Sequence, residues 1–389
     1  MRSKVSVNVP EASATRFTKG IVHPDLWLWD SWTCKSEGKD HLYCLAFARK
    51  DSEGRPTSPA QRNDFTFHIR HFESEDAGAS WHDRGAVVQS SSEPNVTLSD
   101  NIWSGSTLKD SDGKFLFAYT GLPRVSMDRR FLQTICIAES AVPDNVPGLP
   151  LTPVSDPVRD YDSIRAAGYF LGEREMLGAN CGESGGPILA WRDPFLFMHG
   201  DRIHALWAAK AAPLQPAVAH AILSRNDSGD FVVDELLPPM LLPDGDEFTQ
   251  AEVPKIYFDA SNQQYWLIIS ACNRISEDQP DDEIVKDQRL YVSESLRGPW
   301  IQYRGTTSVI PDIEHLFGAS VMDADFPAGQ LTLIAPYTEM ADPSLQLTFA
   351  PVATVALPGR DQMTALLERR LADGALSVRA MGYRVGTLD

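Results

Sequence analysis

Short runs of apolar or alternating residues recur along this 389-residue chain, and turn-forming residues separate them. Each run has the length of a β-strand, whereas helices need longer periodic segments. The runs are His41–Phe47, Thr66–Phe72, Lys114–Tyr119, Phe131–Ala138, Pro194–Met198, Ile203–Ala208, Val253–Phe258, Tyr265–Ser270, Arg289–Ser293 and Leu331–Tyr337. This spacing predicts an all-β protein, built as a sandwich, a barrel or a propeller.

Signals for other fold classes are weak. Helical periodicity is visible only near Asp361–Ala372. No glycine-rich phosphate-binding motif opens a helix, which argues against a nucleotide-binding α/β fold. Nine tryptophans and 27 prolines are typical of a loop-rich β protein.

One hairpin motif favours the propeller among the all-β architectures. Ser74–Trp81 fits the pattern S-x-D-x-G-x-x-W and resembles the Asp-box hairpin of sialidases and other propellers. In that reading Asp76 caps its own turn, Gly78 supplies a positive φ and Trp81 packs beneath. Propellers place functional pockets at the central channel, with residues arriving from several blades.

The charge balance constrains the partners. The chain has 35 basic and 53 acidic residues, a net charge of −18. This balance argues against nucleic acid or an anionic membrane surface as a partner and is compatible with a neutral substrate. Five cysteines without a C-x-x-C pair indicate neither a zinc site nor a disulfide framework.

Targeting signals are also lacking. Residues 1–20 have no apolar segment like that of a signal peptide, and no 18-residue apolar run predicts a membrane helix. We therefore expect a cytoplasmic protein or one secreted by a leaderless route. The oligomeric state stays open.

The most unusual local feature is a carboxylate among tryptophans, in the segment Leu26–Trp32. Aromatic faces pack against the C–H faces of sugar rings, and a nearby carboxylate can act as a nucleophile or accept hydrogen bonds from sugar hydroxyls. Strict strand alternation would put Trp27 and Trp29 on one face and Asp30 on the other. A core strand with a capping aspartate is the alternative.

Three further motifs combine polar groups with the starts of predicted strands. Each is ambiguous alone, since Arg-Asp-Pro is a common turn and a single glutamate at a strand start is usually exposed. The motifs are Asp100–Ser106 with Trp103 and Ser104, Trp191–Phe195 with Arg192 and Asp193, and Gln250–Lys255 with Glu252.

Together and in this order, the motifs resemble glycoside hydrolase family 68, the levansucrases, inulosucrases and related β-fructofuranosidases. The resemblance covers about Trp27 to Met322, and Arg62-Asn63-Asp64 also looks like the bacterial members. The matching segments are Trp29-Asp30-Ser31-Trp32, Trp103-Ser104-Gly105, Arg192-Asp193-Pro194 and Glu252-Val253-Pro254.

The resemblance implies a single-domain five-bladed β-propeller with a central, funnel-shaped active site. We expect the propeller to span 21–389, with a C-terminal closing segment, and 1–20 to form an N-terminal arm. It also implies that no cofactor and no metal ion is needed, and that the partner is a sugar such as sucrose or a fructan.

The resemblance further implies a role for each matching residue. Asp30 would be the nucleophile and Glu252 the acid/base, while Asp193 would stabilise the transition state and stay ionised beside Arg192. Ser104 would hold Asp30. The remaining expected substrate-binding residues are Trp29, Trp103, Arg192, Gln250, Asn273 and Arg274.

Several positions depart from the family pattern. Thr33 and Val253 replace a usual proline and a common arginine, and Phe317-Gly318-Ala319 stands in place of a Tyr-Ser-His segment. The strand that brings a cationic or histidine residue to the leaving-group side ends here in Ala271–Arg274. These changes keep the fructosyl pocket and alter the leaving-group and acceptor subsites.

We therefore expect a retaining enzyme that takes fructose from sucrose or a related β-fructofuranoside and gives it to water or to a sugar acceptor. The alternatives are a related five-bladed glycosidase acting on arabinosyl or xylosyl substrates, and a propeller that binds carbohydrate without turnover. Two long polar segments, Asp156–Gly186 and Asn273–Gln288, are surface loops or the rim of a pocket. The protease-like Gly182–Pro187 lacks matching His and Asp segments and is interpreted as a flexible approach to Arg192.

Overall fold

The apolar runs form strands that pair in five antiparallel sheets, and these are the blades of a five-bladed β-propeller, as predicted. The structure is a computed structural model. It describes residues 9–90, 101–123, 125–150, 152–303, 307–310, 313, 316–338, 345–356 and 366–369.

The blades follow one another along the chain. Blade 1 contains β1 (Arg16–Phe17), β2 (Leu26–Ser36), β3 (Lys39–Ala48), β4 (His68–Ser74) and β5 (Trp81–Gln89), and blade 2 contains β6 (Asn101–Lys109), β7 (Phe115–Leu122) and β8 (Thr134–Ser140). Blade 3 contains β9 (Arg192–His199), β10 (Arg202–Ala212), β11 (Gln215–Arg225) and β12 (Phe231–Leu236). Blade 4 contains β13 (Gln250–Asp259), β14 (Gln264–Cys272), β15 (Lys286–Ser293) and β16 (Ile301–Gln302), and blade 5 contains β17 (Ser320–Asp325), β18 (Gln330–Ile334), β19 (Ala353–Ala356) and β20 (Leu366–Arg369).

Short helices lie in the long connections between blades. The segment between blades 2 and 3 holds α1 (Tyr161–Ala166), α2 (Asn180–Gly185) and a 3-10 turn. Two more 3-10 turns, Pro59–Asp64 and Asp281–Glu283, lie in blades 1 and 4. No helix in the described ranges is long and apolar enough to cross a membrane.

The core consists of five apolar clusters, and each fills the space between two neighbouring blades. Middle strands such as β3 and β7 are therefore buried on both faces and read as continuous apolar runs. One cluster joins Leu28 and Phe72 of blade 1 to Met322 and Ile334 of blade 5. This last contact closes the ring between the first and last blades.

The predicted Asp-box hairpin is confirmed as the turn between β4 and β5. The N–H and hydroxyl of Ser80 donate to Asp76, over 2.8 and 2.6 Å. Gly78 has φ +82°, and a Cβ there would lie 2.5 Å from Val352 Cγ2. Trp81 is buried beneath the turn, so the motif closes the outer part of a blade.

The weak helical periodicity near Asp361–Ala372 indicated a helix. This indication is wrong for the residues of the segment that the structure describes. Leu366–Arg369 is strand β20 and pairs antiparallel with β19. Pairing with a neighbouring strand satisfies backbone groups that a short, weakly periodic helix would satisfy poorly. The division into an arm and a propeller at residue 20 stays a prediction, and within the arm β1 pairs with β5.

Candidate active site

The predicted site residues lie on the strands nearest the propeller axis. β2, β6, β9 and β13 each form the inner edge of a blade and pack against their neighbours around the ring. They surround an open cavity of about 310 Å³. Its lining includes all the predicted site residues except Asn273, namely Trp29, Asp30, Trp103, Ser104, Arg192, Asp193, Gln250, Glu252 and Arg274.

A β-bulge in β2 brings Trp29 and Asp30 to the same cavity. Leu28 pairs with Ala46 and Ser31 with Cys44, so Trp29 and Asp30 together oppose one residue of β3. The prediction that Trp29 and Asp30 point to opposite faces is therefore wrong. A bulge breaks the alternation of a strand and redirects a side chain, and bulges are common at functional sites.

The other three inner strands carry the same irregularity at their candidate residues. The register shifts around Ser104 in β6, around Asp193 in β9 and just after Glu252 in β13. Asp193 has φ 63° and Val253 has φ 41°, left-handed conformations that are rare for such residues. The surrounding sheets hold this strain, as is frequent where side chains are positioned for function.

Asp30 accepts a short hydrogen bond in a crowded setting. Ser104 Oγ donates to Asp30 Oδ2 over 2.5 Å, as predicted. Gly318 lies against the other oxygen, and a Cβ there would be 3.0 Å from Asp30 Oδ1. Burial raises the pKa of Asp30 to about 6, and Glu252 adds to this, while the Ser104 bond and two buried cations oppose it.

Asp193 is held by the backbone of the next blade. The N–H of Val253 donates to its Oδ2 over 3.2 Å, and Thr120 Oγ1 accepts from its own N–H over 2.8 Å. Burial raises the pKa of Asp193 to about 7 although Arg192 lowers it. The expectation that Arg192 keeps Asp193 ionised is thus only partly met, since the Nε to Oδ2 distance is 3.7 Å.

The guanidinium of Arg192 is directed at Glu252 instead. It donates to Glu252 Oε1 over 2.9 Å and to Gln250 Oε1 over 3.2 Å, and its other arm donates to the carbonyl of Leu189 over 2.8 Å. The Glu252 side chain is 23% exposed. Arg192 therefore fixes one oxygen of Glu252 and leaves the other for a ligand in the cavity.

Lys255 is a buried cation that the sequence reasoning missed. Its ammonium group donates to the carbonyl of Ala319 over 3.1 Å. Burial lowers its pKa to about 8, while Asp30 and Asp193 raise it. Lys255 ends the Gln250–Lys255 motif. Strand alternation gave no reason to place its side chain near Asp30 and Asp193, because the bulge at Val253 sets its direction.

Two tryptophans, Trp29 and Trp103, line the same cavity as the carboxylates. The guanidinium carbon of Arg62 lies 5.1 Å from the centre of the Trp29 ring, and Trp103 packs at 6.1 Å from Phe131. Both tryptophans are partly exposed and line the cavity. Asp100, part of the Trp103 motif, lies outside the described residues.

The two long polar segments form part of the cavity rim. Arg62 of blade 1 donates to Glu277 of the 273–288 loop over 2.8 Å, and the N–H of Glu277 donates to the carbonyl of Glu183 over 2.8 Å. Three separate parts of the chain thus meet at the cavity mouth. The rim alternative is confirmed for these residues.

Asn273 has a different environment from the other predicted residues. Its side chain accepts from the N–H of Val285 over 2.8 Å and donates to the carbonyl of Glu283 over 3.1 Å. It fastens the 273–288 loop and is not among the residues that line the cavity. Its neighbour Arg274 does line it.

Glu183 is a lining residue that sequence reasoning missed. It lies in α2, within the Gly182–Pro187 segment, and is buried. Burial raises the pKa of Glu183 to about 7. The only sequence signal for Glu183 is that it is an acidic residue among glycines shortly before Arg192. In the described ranges, no group of three or more His, Cys, Asp or Glu is arranged to hold a metal ion.

Comparison with solved structures shows where this fold has been seen. Inulosucrase from Halalkalicoccus jeotgali bound to kestose superposes with a TM-score of 0.61 at 19% identity, covering 92% of this chain and 91% of that chain. Bacillus subtilis levansucrase gives 0.60 at 16% identity, covering 93% and 91%. A levansucrase variant complexed with sucrose gives 0.59 at 16% identity, covering 90% and 89%. No family model and no curated protein matches the sequence. The expected likeness is therefore confirmed at the level of the fold.

Proposed function

We propose that this protein is a retaining fructosyl enzyme that acts on sucrose or a related β-fructofuranoside. One observation carries the proposal. Asp30, Asp193 and Glu252 arrive from the inner strands of three different blades at one cavity, which Trp29 and Trp103 also line. Three carboxylates with an aromatic platform suit the oxocarbenium-like transition state of glycoside cleavage. The solved structures of this fold, some with sugars bound, agree with it.

In the proposed first step, the Asp30 carboxylate attacks the anomeric carbon of the fructosyl unit. Glu252 gives its proton to the glycosidic oxygen as the carbon–oxygen bond breaks, and the leaving sugar departs as an alcohol. Ser104 orients Asp30 through its 2.5 Å hydrogen bond. Asp193 binds fructosyl hydroxyls and offsets the positive charge that develops on the ring.

In the second step, water or a sugar hydroxyl attacks the fructosyl–Asp30 ester. Glu252 takes the proton of the attacking group, and Asp30 leaves as a carboxylate, which restores the enzyme. Arg192 keeps Glu252 in place through both steps by its bond to one oxygen. Water gives hydrolysis and a sugar acceptor gives transfer.

The test is incubation of the purified protein with sucrose, with glucose and free fructose measured separately. Glucose release supports the proposal, and glucose in excess over free fructose reveals transfer. Asp30→Asn and Glu252→Gln should each lower turnover by several orders of magnitude, because one removes the nucleophile and the other the proton donor.

Matched controls are Asp112→Asn and Glu294→Gln, the same chemical changes at exposed positions; both should keep wild-type turnover. Near-normal turnover by either site variant would refute its assigned role. Release from arabinosyl or xylosyl donors but not sucrose would favour the related glycosidase. Sugar binding without release from any donor would favour a carbohydrate-binding propeller.

A further inference from the structure

Glu183 is a buried carboxyl group that the proposed chemistry does not use. The residue is 9% exposed and lines the same cavity as Asp30 and Glu252. No hydrogen bond from any described residue reaches its carboxyl, and the bond that Glu183 accepts from Glu277 goes to its main-chain carbonyl. A buried carboxyl without a partner costs free energy, so a ligand hydroxyl would satisfy it.

The nearby cations are engaged elsewhere. Arg192 donates to Glu252, Gln250 and a main-chain carbonyl. The ammonium group of Lys210 donates to the carbonyl of Thr249. Glu183 therefore lines the cavity without the ion pair that usually accompanies a buried carboxylate.

Backbone contacts place Glu183 at the rim of the cavity, because its main-chain carbonyl accepts from the N–H of Glu277, whose carboxylate pairs with Arg62. Glu252 and Arg192 interact electrostatically with both Asp30 and Glu183. Lys255 also acts electrostatically on Asp30, whereas Glu277 and Lys210 act on Glu183. Glu183 thus belongs to the rim side of the cavity, where the sugar next to the fructosyl unit would extend.

We infer that Glu183 binds hydroxyl groups of the sugar next to the fructosyl unit, both as leaving group and as acceptor, and so selects the donor. The inference rests on the proposed function and adds a residue to it. A carboxyl whose pKa is raised to about 7 by burial can donate to a hydroxyl or accept from one near neutral pH. The ligand class is a neutral sugar with free hydroxyls.

The test compares two donors with the same fructosyl group, sucrose and 4-nitrophenyl β-D-fructofuranoside. The aryl group has no hydroxyls for Glu183 to bind. We expect Glu183→Ala to lower the ratio of kcat/KM for sucrose to that for the aryl donor by about tenfold, the effect of one lost hydrogen bond. Glu183→Gln keeps the size and hydrogen-bonding groups and should recover most of the ratio.

The matched control is Glu175→Ala, at an exposed position of the same segment, which should leave the ratio unchanged. A ratio within twofold of wild type in Glu183→Ala, or equal losses for both donors, would overturn the inference. A Glu183→Gln variant as poor as Glu183→Ala would overturn the hydrogen-bonding role in favour of charge alone.

A binding measurement separates this inference from the proposed function. In an Asp30→Asn background, calorimetry compares sucrose with free fructose, with and without Glu183→Ala. Weaker sucrose binding at unchanged fructose binding supports the role of Glu183 even if the wild type turns over neither donor. Sucrose binding that Glu183→Ala leaves unchanged, or no sucrose binding at all, refutes it.

Discussion

At the scale of single residues, Asp30 depends on a neighbour that has no side chain. Gly318 has φ +83°, and a Cβ there would lie 3.0 Å from Asp30 Oδ1. Glycine at this position leaves room beside the proposed nucleophile. The space allows Asp30 to keep the orientation that Ser104 gives it.

Gly318→Ala should therefore lower both stability and activity. The left-handed backbone alone costs about 1 kcal/mol for alanine, and contact with Asp30 should reduce kcat by at least about tenfold through misplacement. Gly113→Ala is the control, since Gly113 has φ +81° and nothing within 4 Å of an added Cβ. Equal kcat values for the two variants, measured with sucrose, would show that the space beside Asp30 is unimportant.

The protonation of Asp193 makes the free energy of unfolding depend on pH. Its pKa of about 7 in the folded protein lies above the ordinary aspartate value of 3.8 because of burial. The folded protein thus holds this proton more tightly than the unfolded chain does. The stability that this provides is complete below about pH 4 and is lost as pH rises through 7.

Asp193→Asn should consequently stabilise the protein more at pH 8 than at pH 4.5. The asparagine carries no buried charge, and the difference between the two pH values should be on the order of 3 kcal/mol. Urea unfolding at both pH values measures it, and exposed Asp112→Asn is the control. If Asp193→Asn and wild type differed in unfolding free energy by the same amount at both pH values, this would contradict the raised pKa of Asp193.

At the scale of elements, bulges in the inner strands orient the candidate catalytic side chains, and loops form the rim of the cavity. The bulges set the directions of Asp30, Ser104 and Asp193, and the loops close over them from outside. The Arg62–Glu277 ion pair joins blade 1 to the 273–288 loop of blade 4. Because Arg62 also covers Trp29, this pair connects the loop to the proposed fructosyl pocket.

Glu277→Ala should shift the balance between transfer and hydrolysis. Without the Glu277 carboxylate, Arg62 loses its ion-pair partner at the mouth of the cavity. The acceptor side of the cavity then becomes less ordered. We expect the transferred fraction of fructose to fall severalfold while glucose release changes little, since acceptor selection rests on small differences in binding. The ratio of glucose to free fructose measures it.

Asp278→Ala is the matched control for this prediction, because Asp278 is the exposed neighbour in the same loop. It should keep the wild-type ratio of glucose to free fructose. The same ratio in Glu277→Ala would argue that the loop does not shape the acceptor side.

At the scale of the whole molecule, the ring depends on contacts between residues far apart in sequence. The hydroxyl of Ser320 in β17 donates to the carbonyl of Ser31 in β2 over 2.5 Å. The N–H of Leu28 donates to the carbonyl of Leu347 over 2.8 Å. These bonds join the last blade to the strand that carries Asp30.

Ser320→Ala should destabilise the protein by about 1–2 kcal/mol, because it leaves a buried carbonyl without its donor. Thermal unfolding measures this as a lower Tm. Ser228→Ala, at an exposed turn of blade 3, should leave the Tm unchanged. A Tm for Ser320→Ala equal to that of the control would show that this bond does not support ring closure.

Much of the architecture follows from patterns that are local in the chain. Strands such as β3 and β7 are continuous apolar runs because both faces are buried between blades, and the Asp-box turn follows from Asp76 and Gly78. The candidate catalytic residues Asp30, Asp193 and Glu252 were predicted from short motifs that occur in a particular order along the chain. These features depend on residue type and near neighbours, and a sequence contains both.

Only the tertiary structure decided where those groups point and which others join them. The bulge at Asp30 overrides strand alternation, Arg192 pairs with Glu252 more closely than with Asp193, and Lys255 and Glu183 approach the site. Each outcome depends on pairing register or on packing between distant blades. Such contacts bring together residues tens to hundreds of positions apart, and no local pattern encodes that distance.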